Sequence, residues 1–95
     1  MNKMNKHQQL MTIMMEECGE LIQRCSKMMR KYETIEEVDE KQRVKLLEEL
    51  GDVQCMIGLM VDHKYVSGLE IGTRVNTKRE KLQKWSDLIH GNEHT

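Results

Sequence analysis

The sequence predicts an all-α protein, a helical bundle formed by a single domain that spans residues 1–95. Proline and phenylalanine are absent, nine methionines are present, and charged residues make up 33% of the chain, a composition that favours helices. Apolar residues recur at spacings of three and four along most of the chain, which is the period of an amphipathic helix. With 95 residues, the chain is too short for two independent cores.

The first helix is predicted over residues 6–31, where one apolar seam repeats at spacings of three and four. The seam consists of Leu10, Met14, Glu17, Leu21, Cys25 and Met28. Glu17 therefore occupies a position that the pattern reserves for an apolar side chain. A carboxylate on the buried face of a helix needs a partner, so we expect Glu17 to bind one.

The second helix is predicted over residues 41–63, after an acidic connection at residues 32–40. Within that connection, Thr34 and Glu37 have the spacing of a capping box that would open the second helix. The helix carries an apolar stripe of Leu46, Leu50, Val53, Ile57 and Met60. Residues 55–61 are almost wholly apolar, which predicts burial on most sides. Since so few helices cannot cover this segment in a monomer, we expect a homodimer or a homotetramer.

The last helix follows a turn at residues 64–68, with Gly72 near its start. Its seam consists of Ile71, Val75, Lys78, Leu82, Trp85 and Ile89. Lys78 interrupts this seam, and it belongs to a basic segment of the helix. Within that segment, Lys78, Lys81 and Lys84 are candidate phosphate-binding residues. The alternative is an ordinary solvated charged face.

Charge, hydropathy and cysteine content argue against several classes of partner and location. The net charge is −1, so overall charge gives no reason to expect nucleic acid or an anionic membrane as a partner. No apolar run approaches the ~20 residues needed to span a bilayer, and no apolar signal core follows Lys3 and Lys6. The three cysteines form no Cys-x-x-Cys pair, so we expect a reducing, cytoplasmic location without disulfides.

Two six-residue stretches, at residues 16–21 and 48–53, nearly repeat each other. Each reads acid, acid, any residue, glycine, acid, aliphatic. Acids three apart on a helix project about 60° from each other, so each stretch presents a pair on one face. Glycine inside a helix costs roughly 1 kcal/mol relative to alanine, and its repetition suggests that something approaches the backbone closely. If two such faces meet, four carboxylates gather, and they repel one another unless a cation lies among them.

The candidate metal ligands, which are also the candidate catalytic residues, are Glu17, Glu20, Glu49 and Asp52. Hard oxygen ligands suit Mg2+, with Mn2+ as the alternative. Either pair alone is more often a set of solvated helix acids, but the repeated glycine, the seam position of Glu17 and the similarity of the two stretches favour a metal site. Glu16 and Glu48 lie about 100° around their helices from Glu17 and Glu49. They could support the metal ligands from the second shell, act as a base through water, or be solvated.

These motifs resemble the signature of the all-alpha nucleoside triphosphate pyrophosphohydrolases, the MazG-like superfamily. That signature is Glu-x-x-Glu, a gap, and then Glu-x-x-Asp. It corresponds here to the stretches Glu17–Glu20 and Glu49–Asp52, with a gap at the long end of the family's range. The segment at residues 78–84 resembles the basic last helix of the family, and the resemblance as a whole covers residues 7–88.

The resemblance implies an enzyme that hydrolyses a nucleoside or deoxynucleoside triphosphate to the monophosphate and pyrophosphate. It implies Mg2+ held by the four acids, and a phosphate chain steadied by Lys78 and Lys81 from the same or a neighbouring subunit. The family's last helix often carries an arginine near its end, where this chain has Lys84 and Trp85. Base-reading residues are not evident, so the base and the sugar stay open. Two other classes also stay open: a non-catalytic helical association module and an inactive nucleotide-binding relative.

Overall fold

The computed structural model describes residues 3–89, and this part of the chain is helical apart from its connections. The α-helices are α1 (Lys6–Lys31), α2 (Glu40–Asp62) and α3 (Gly68–Trp85), with a 3-10 helix at Ile35–Glu37 between α1 and α2. The predicted all-α class is confirmed, and the predicted bounds of α1 and α2 agree to within one residue at every end. Among the helices of residues 3–89, none combines the length and the apolar character needed to cross a membrane.

Asn5 starts α1 through a capping box. Its side chain accepts a hydrogen bond from the backbone N–H of Gln8 at 2.8 Å, and the Gln8 side chain accepts one from the Asn5 N–H at 3.1 Å. Arg30 and Lys31 lie in the last turn, where positive charge interacts favourably with the C-terminal end of the helix dipole. Both ends of the helix that carries the first acidic pair are therefore stabilised locally.

The capping box predicted in the connection between α1 and α2 is present, but it opens a different helix from the one predicted. Glu37 Oε2 accepts hydrogen bonds from the backbone N–H groups of Glu33 (2.9 Å) and Thr34 (3.4 Å), so the predicted capping box opens the 3-10 helix. Asp39 caps α2 instead, because its Oδ1 accepts from the Gln42 N–H at 2.8 Å. The prediction that Thr34 and Glu37 open the second helix is wrong, since an aspartate directly before that helix supplies the cap.

α1 and α2 pack against each other and run antiparallel. Residues near the start of α1 meet residues near the end of α2, and Leu10 and Ile13 line one cavity together with Met56 and Leu59. Leu10 and Met56 are the only buried residues in the described part of the chain, with 7% and 6% of their surface exposed. The core of this pair is small, because each of two paired helices covers only one face of the other.

α3 belongs to a second compact unit, which begins after His63. Ser67 caps this helix by accepting a hydrogen bond from the Glu70 N–H at 3.0 Å, while the Glu70 side chain accepts one from the Ser67 N–H at 2.8 Å. The helix therefore begins at Gly68, one turn before Gly72, and the predicted turn is correspondingly shorter.

The apolar seam predicted for α3 does not extend to its last two positions. Trp85 is the last residue of the helix and is 83% exposed, and Ile89 lies beyond the helix end. The helix ends at Ser86, because the backbone of this residue is extended (φ −150°, ψ 168°). The Ser86 hydroxyl donates to the Leu82 carbonyl at 2.8 Å, beside the last helical hydrogen bond from the Ser86 N–H at 2.9 Å. The expectation that Trp85 continues a core seam is therefore wrong for the single chain, whereas Ile89 is half-buried but lies outside the helix.

Candidate metal centre

Three of the four predicted metal ligands converge between α1 and α2: Glu17, Glu20 and Asp52. One carboxylate oxygen of each lies within 4.8 Å of the others. The spacing of three residues puts Glu17 and Glu20 side by side on α1, and the antiparallel packing brings Asp52 of α2 opposite them. We refer to these three residues as the acidic trio. Converging carboxylate oxygens are the donor set that hard divalent cations prefer.

Glu17 is the member of the acidic trio that most needs a positive partner. Its Oε2 atom is buried and has no hydrogen-bond partner in the described part of the chain. Burial raises the pKa of this carboxyl group, and the negative charges of Glu20 and Asp52 raise it further. A hydrogen bond between the Glu17 and Asp52 side chains also raises this pKa, because it favours the protonated form. A buried carboxylate without a partner is costly, whereas a cation beside it favours the ionised form. Glu17 is half-buried and the other two acids are exposed, and together their carboxylate oxygens could hold a metal ion.

The two motif glycines, Gly19 and Gly51, lie within α1 and α2 next to the acidic trio. A Cβ built on either residue would meet no atom within 4 Å. No described part of the chain therefore requires glycine at these positions. The repeated glycine predicts that some group approaches the helix backbone closely. No described residue does so, and the close approach of a ligand or a second subunit stays a prediction.

Glu49, the fourth predicted ligand, pairs with Arg24 of α1. Arg24 Nε lies 3.1 Å from Glu49 Oε2, and Nη2 lies 3.5 Å from Oε1, a two-pronged ion pair. The two side chains are only 12% and 17% exposed, so solvent screens this pair less than a surface pair. Arg24 also donates from Nη1 to Gln42 Oε1 at 2.9 Å. Glu49 is thus neutralised by a fixed cation and lies outside the acidic trio, one helical turn from Asp52.

Arg24 is a site residue that the sequence patterns above do not identify. It follows Glu20 by four residues and Glu17 by seven, which places it on the same face of α1. A search for basic residues on the acidic face of each helix would have found it. Its pairing with Glu49 depends on how α1 and α2 align, which the spacing within one helix does not specify.

The remaining candidate residues lie outside the acidic trio. Glu16 and Glu48 are exposed, and Glu16 acts on the site only through its charge, which contributes to the raised pKa of Glu17 after burial and the closer acids. The predicted phosphate-binding residues, Lys78, Lys81 and Lys84, are exposed on α3. Their role in binding phosphate stays a prediction.

Comparisons of the chain with models of known families, with curated proteins and with solved structures find no match. The resemblance to the MazG-like superfamily therefore rests on the motif residues alone. A function for the chain has to be argued from the chemistry of its acidic residues and their surroundings.

Proposed function

We propose that the chain is a Mg2+-dependent nucleoside triphosphate pyrophosphohydrolase of the MazG-like type, which cleaves a nucleoside or deoxynucleoside triphosphate into the monophosphate and pyrophosphate. The observation that carries this proposal is the acidic trio with the buried, unpartnered Oε2 of Glu17. Carboxylates drawn together from two helices repel one another without a cation, so their convergence favours a metal-dependent function. The motif resemblance narrows that function to hydrolysis of a phosphoanhydride.

In this proposal, the acidic trio holds the cation, and Glu49 joins it when the pair with Arg24 opens. Bound there, Mg2+ supplies charge neutralisation at phosphate oxygens and a water of lowered pKa. In the overall reaction, water adds to phosphorus and the anhydride bond between the α- and β-phosphates breaks. Pyrophosphate leaves, and the proton of the water passes to a carboxylate or to solvent. Lys78, Lys81 and Lys84 of α3 are the proposed phosphate-binding residues.

We further propose that a second copy, or three further copies, complete the bundle in the cytoplasm. Met15, Ile22 and Met29 are 67%, 69% and 79% exposed, and they recur every seven residues along α1, as apolar residues do at a helix–helix seam. Ile57, in the apolar part of α2, is 37% exposed. The three cysteines are free, which suits a reducing compartment.

Release of pyrophosphate tests the proposed activity directly. The full chain is incubated with a panel of canonical and modified NTPs and dNTPs, in Mg2+ and in EDTA. We expect release from at least one substrate in Mg2+ and none in EDTA. Glu20→Gln and Asp52→Asn should lose roughly 100-fold or more, the order seen when one group that stabilises transition-state charge is removed. Glu36→Gln is the matched control, because it makes the same chemical change at an exposed residue of the 3-10 helix.

Two other results would place the chain in a different class. Binding of Mg2+ and nucleotide without release of pyrophosphate would make it an inactive relative. Absence of both release and Mg2+ binding, measured by calorimetry, would overturn the metal site. The chain would then be a helical association module, an interpretation that the exposed residues at Met15, Ile22 and Met29 favour.

A further inference from the structure

A cavity of about 400 Å³ lies between the last turns of α1 and the first turns of α2. Five basic side chains line it: Arg24, Lys27, Arg30, Lys31 and Lys45. Tyr32 and Gln42 complete the lining, which includes no carboxylate from the described residues. We refer to it as the basic cavity. Three of the five side chains are exposed and two are half-buried. Positive charge gathered around one space attracts an anion.

Most of this positive charge is not neutralised by the chain. No ion pair joins Lys27, Arg30 or Lys45 to a carboxylate within residues 3–89. Lys31 Nζ lies 4.0 Å from Asp39 Oδ2, but the two side chains are 59% and 54% exposed, so water screens that pair strongly. The basic cavity therefore keeps a surplus of positive charge and of free N–H donors.

Arg24 belongs both to the basic cavity and to the ion pair with Glu49. Its guanidinium donates to Glu49 at 3.1 Å and to Gln42 at 2.9 Å while it lines the cavity. Guanidinium groups bind phosphate in the same two-pronged manner as they bind carboxylate. A phosphate group in the basic cavity would therefore compete with Glu49 for the guanidinium group of Arg24. Glu49 lies one turn from Asp52 on α2, so its release would put a fourth carboxylate beside the acidic trio.

We propose that the basic cavity binds a small polyphosphate, either free pyrophosphate or the phosphate chain of a nucleotide, and that this binding frees Glu49 to join the acidic trio. Binding of the anion and of a divalent cation then strengthen each other, because an equilibrium coupling acts equally in both directions. The part of this proposal that concerns tighter binding of the divalent cation rests on the proposed function. Binding of the anion in the basic cavity does not.

Titration calorimetry of the full chain with pyrophosphate in EDTA tests the basic cavity without any metal. We expect binding that weakens by about tenfold or more in the Lys27→Gln/Lys45→Gln double variant, since both donors bond to a charged ligand. Lys41→Gln is the control, because Lys41 is an exposed lysine of α2 that does not line the cavity. An NTP titrated in the same buffer identifies the source, since the tighter of the two ligands is the one the cavity serves.

Three outcomes would overturn the anion site. Pyrophosphate and NTP could both fail to bind, or both could bind the double variant as they bind the wild type. A single-stranded oligonucleotide could also bind tightly without displacement by pyrophosphate, which would make the basic residues part of a nucleic-acid surface. Circular dichroism of the double variant confirms that its helices are intact.

The link between the two sites is tested with Glu49→Gln, again in EDTA. Removing the carboxylate leaves Arg24 free for the anion, so we expect pyrophosphate to bind about fivefold more tightly or better, the lower end of typical coupling. Glu48→Gln removes the same charge from the exposed neighbouring residue and reports the general electrostatic effect. Pyrophosphate binding in Glu49→Gln that is no tighter than in Glu48→Gln would overturn the link. Because no metal is present, that result is distinct from a failure of the proposed activity.

Discussion

Glu17 lies on the apolar seam of α1 with its Oε2 buried and unpartnered among the described residues. Burial first, and the charges of Glu20 and Asp52 second, raise the pKa of its carboxyl group. With a raised pKa, the folded chain binds the proton more tightly than the unfolded chain does. Glu17 therefore contributes stability below its unfolded pKa, and this contribution is lost as pH rises through the folded pKa. Without metal at neutral pH, the ionised group lowers the stability of the fold.

We expect Glu17→Gln to raise the thermal midpoint of the metal-free chain at pH 7, because glutamine keeps the shape of the side chain and removes its charge. The variant should also lose part of the decline in stability between acid and neutral pH. Thermal unfolding in EDTA at a series of pH values measures both effects, with Glu36→Gln as the control for a change in net charge. In Mg2+ the order should reverse, because only the wild type gains stability from the bound cation. A variant that is less stable than the wild type in EDTA at pH 7 would show that the Glu17 carboxylate has a partner.

Local spacing is enough to identify Glu17 and Glu20 as neighbours on α1, because a separation of three residues fixes neighbours on a helix. That Asp52 of α2 joins them depends on how the two helices pack. The environment of Glu49 is not a local property. It depends on the axial alignment of α1 and α2, which sets Arg24 opposite Glu49 at 3.1 Å. The sequence pattern therefore predicts four equivalent acids, whereas the fold separates three acids that share a site from one that is neutralised.

At the scale of the elements, the predicted bounds of α1 and α2 lie within one residue of those in the structure. The start of α3 is predicted less well. The signal that sets it is the reciprocal capping of Ser67 and Glu70, and a helix start inferred from Gly72 overlooks this pair. The start of α2 is a second example, because its N-terminal cap is Asp39 and not Thr34, the residue predicted for this role.

Gly51 lies within α2, and a Cβ at this position would meet open space. We expect Gly51→Ala to stabilise the chain by about 0.5 to 1 kcal/mol, because alanine is the better helix former. Urea unfolding measures the change, and Gly72→Ala is the matched control at a helical glycine outside the motifs, where a Cβ also meets no atom within 4 Å. A loss of stability in Gly51→Ala alone would contradict the open surroundings of Gly51.

Pyrophosphate release by Gly51→Ala and Gly72→Ala tests whether activity requires glycine at position 51. If a substrate or a second subunit approaches the backbone of α2 closely, Gly51→Ala gains stability and loses activity, whereas Gly72→Ala keeps its activity. If both variants remain active, close approach is not the reason for glycine at this position.

At the scale of the whole molecule, apolar surface exceeds what one chain covers. Leu10 and Met56 are the only buried residues within residues 3–89. Met15, Ile22 and Met29 are all more than 60% exposed and follow one another at the seven-residue spacing of a coiled-coil seam. Apolar side chains that repeat along one face of a helix are typical of a face that packs against another helix. A repeating set on one long helix best fits another helix of the same kind.

We expect the full chain to sediment at two or four times its mass of 11.3 kDa, and Ile22→Lys to shift it toward the monomer. A lysine at the centre of the exposed set would place an uncompensated charge in an apolar interface. Gln23→Lys adds the same charge at the neighbouring exposed position of α1, off that set, and should leave the mass unchanged.

Assembly and folding are linked by mass action, so Ile22→Lys should also abolish the dependence of the thermal midpoint on protein concentration. A monomeric wild type would contradict self-association, and equal dissociation in both variants would locate the interface away from Ile22.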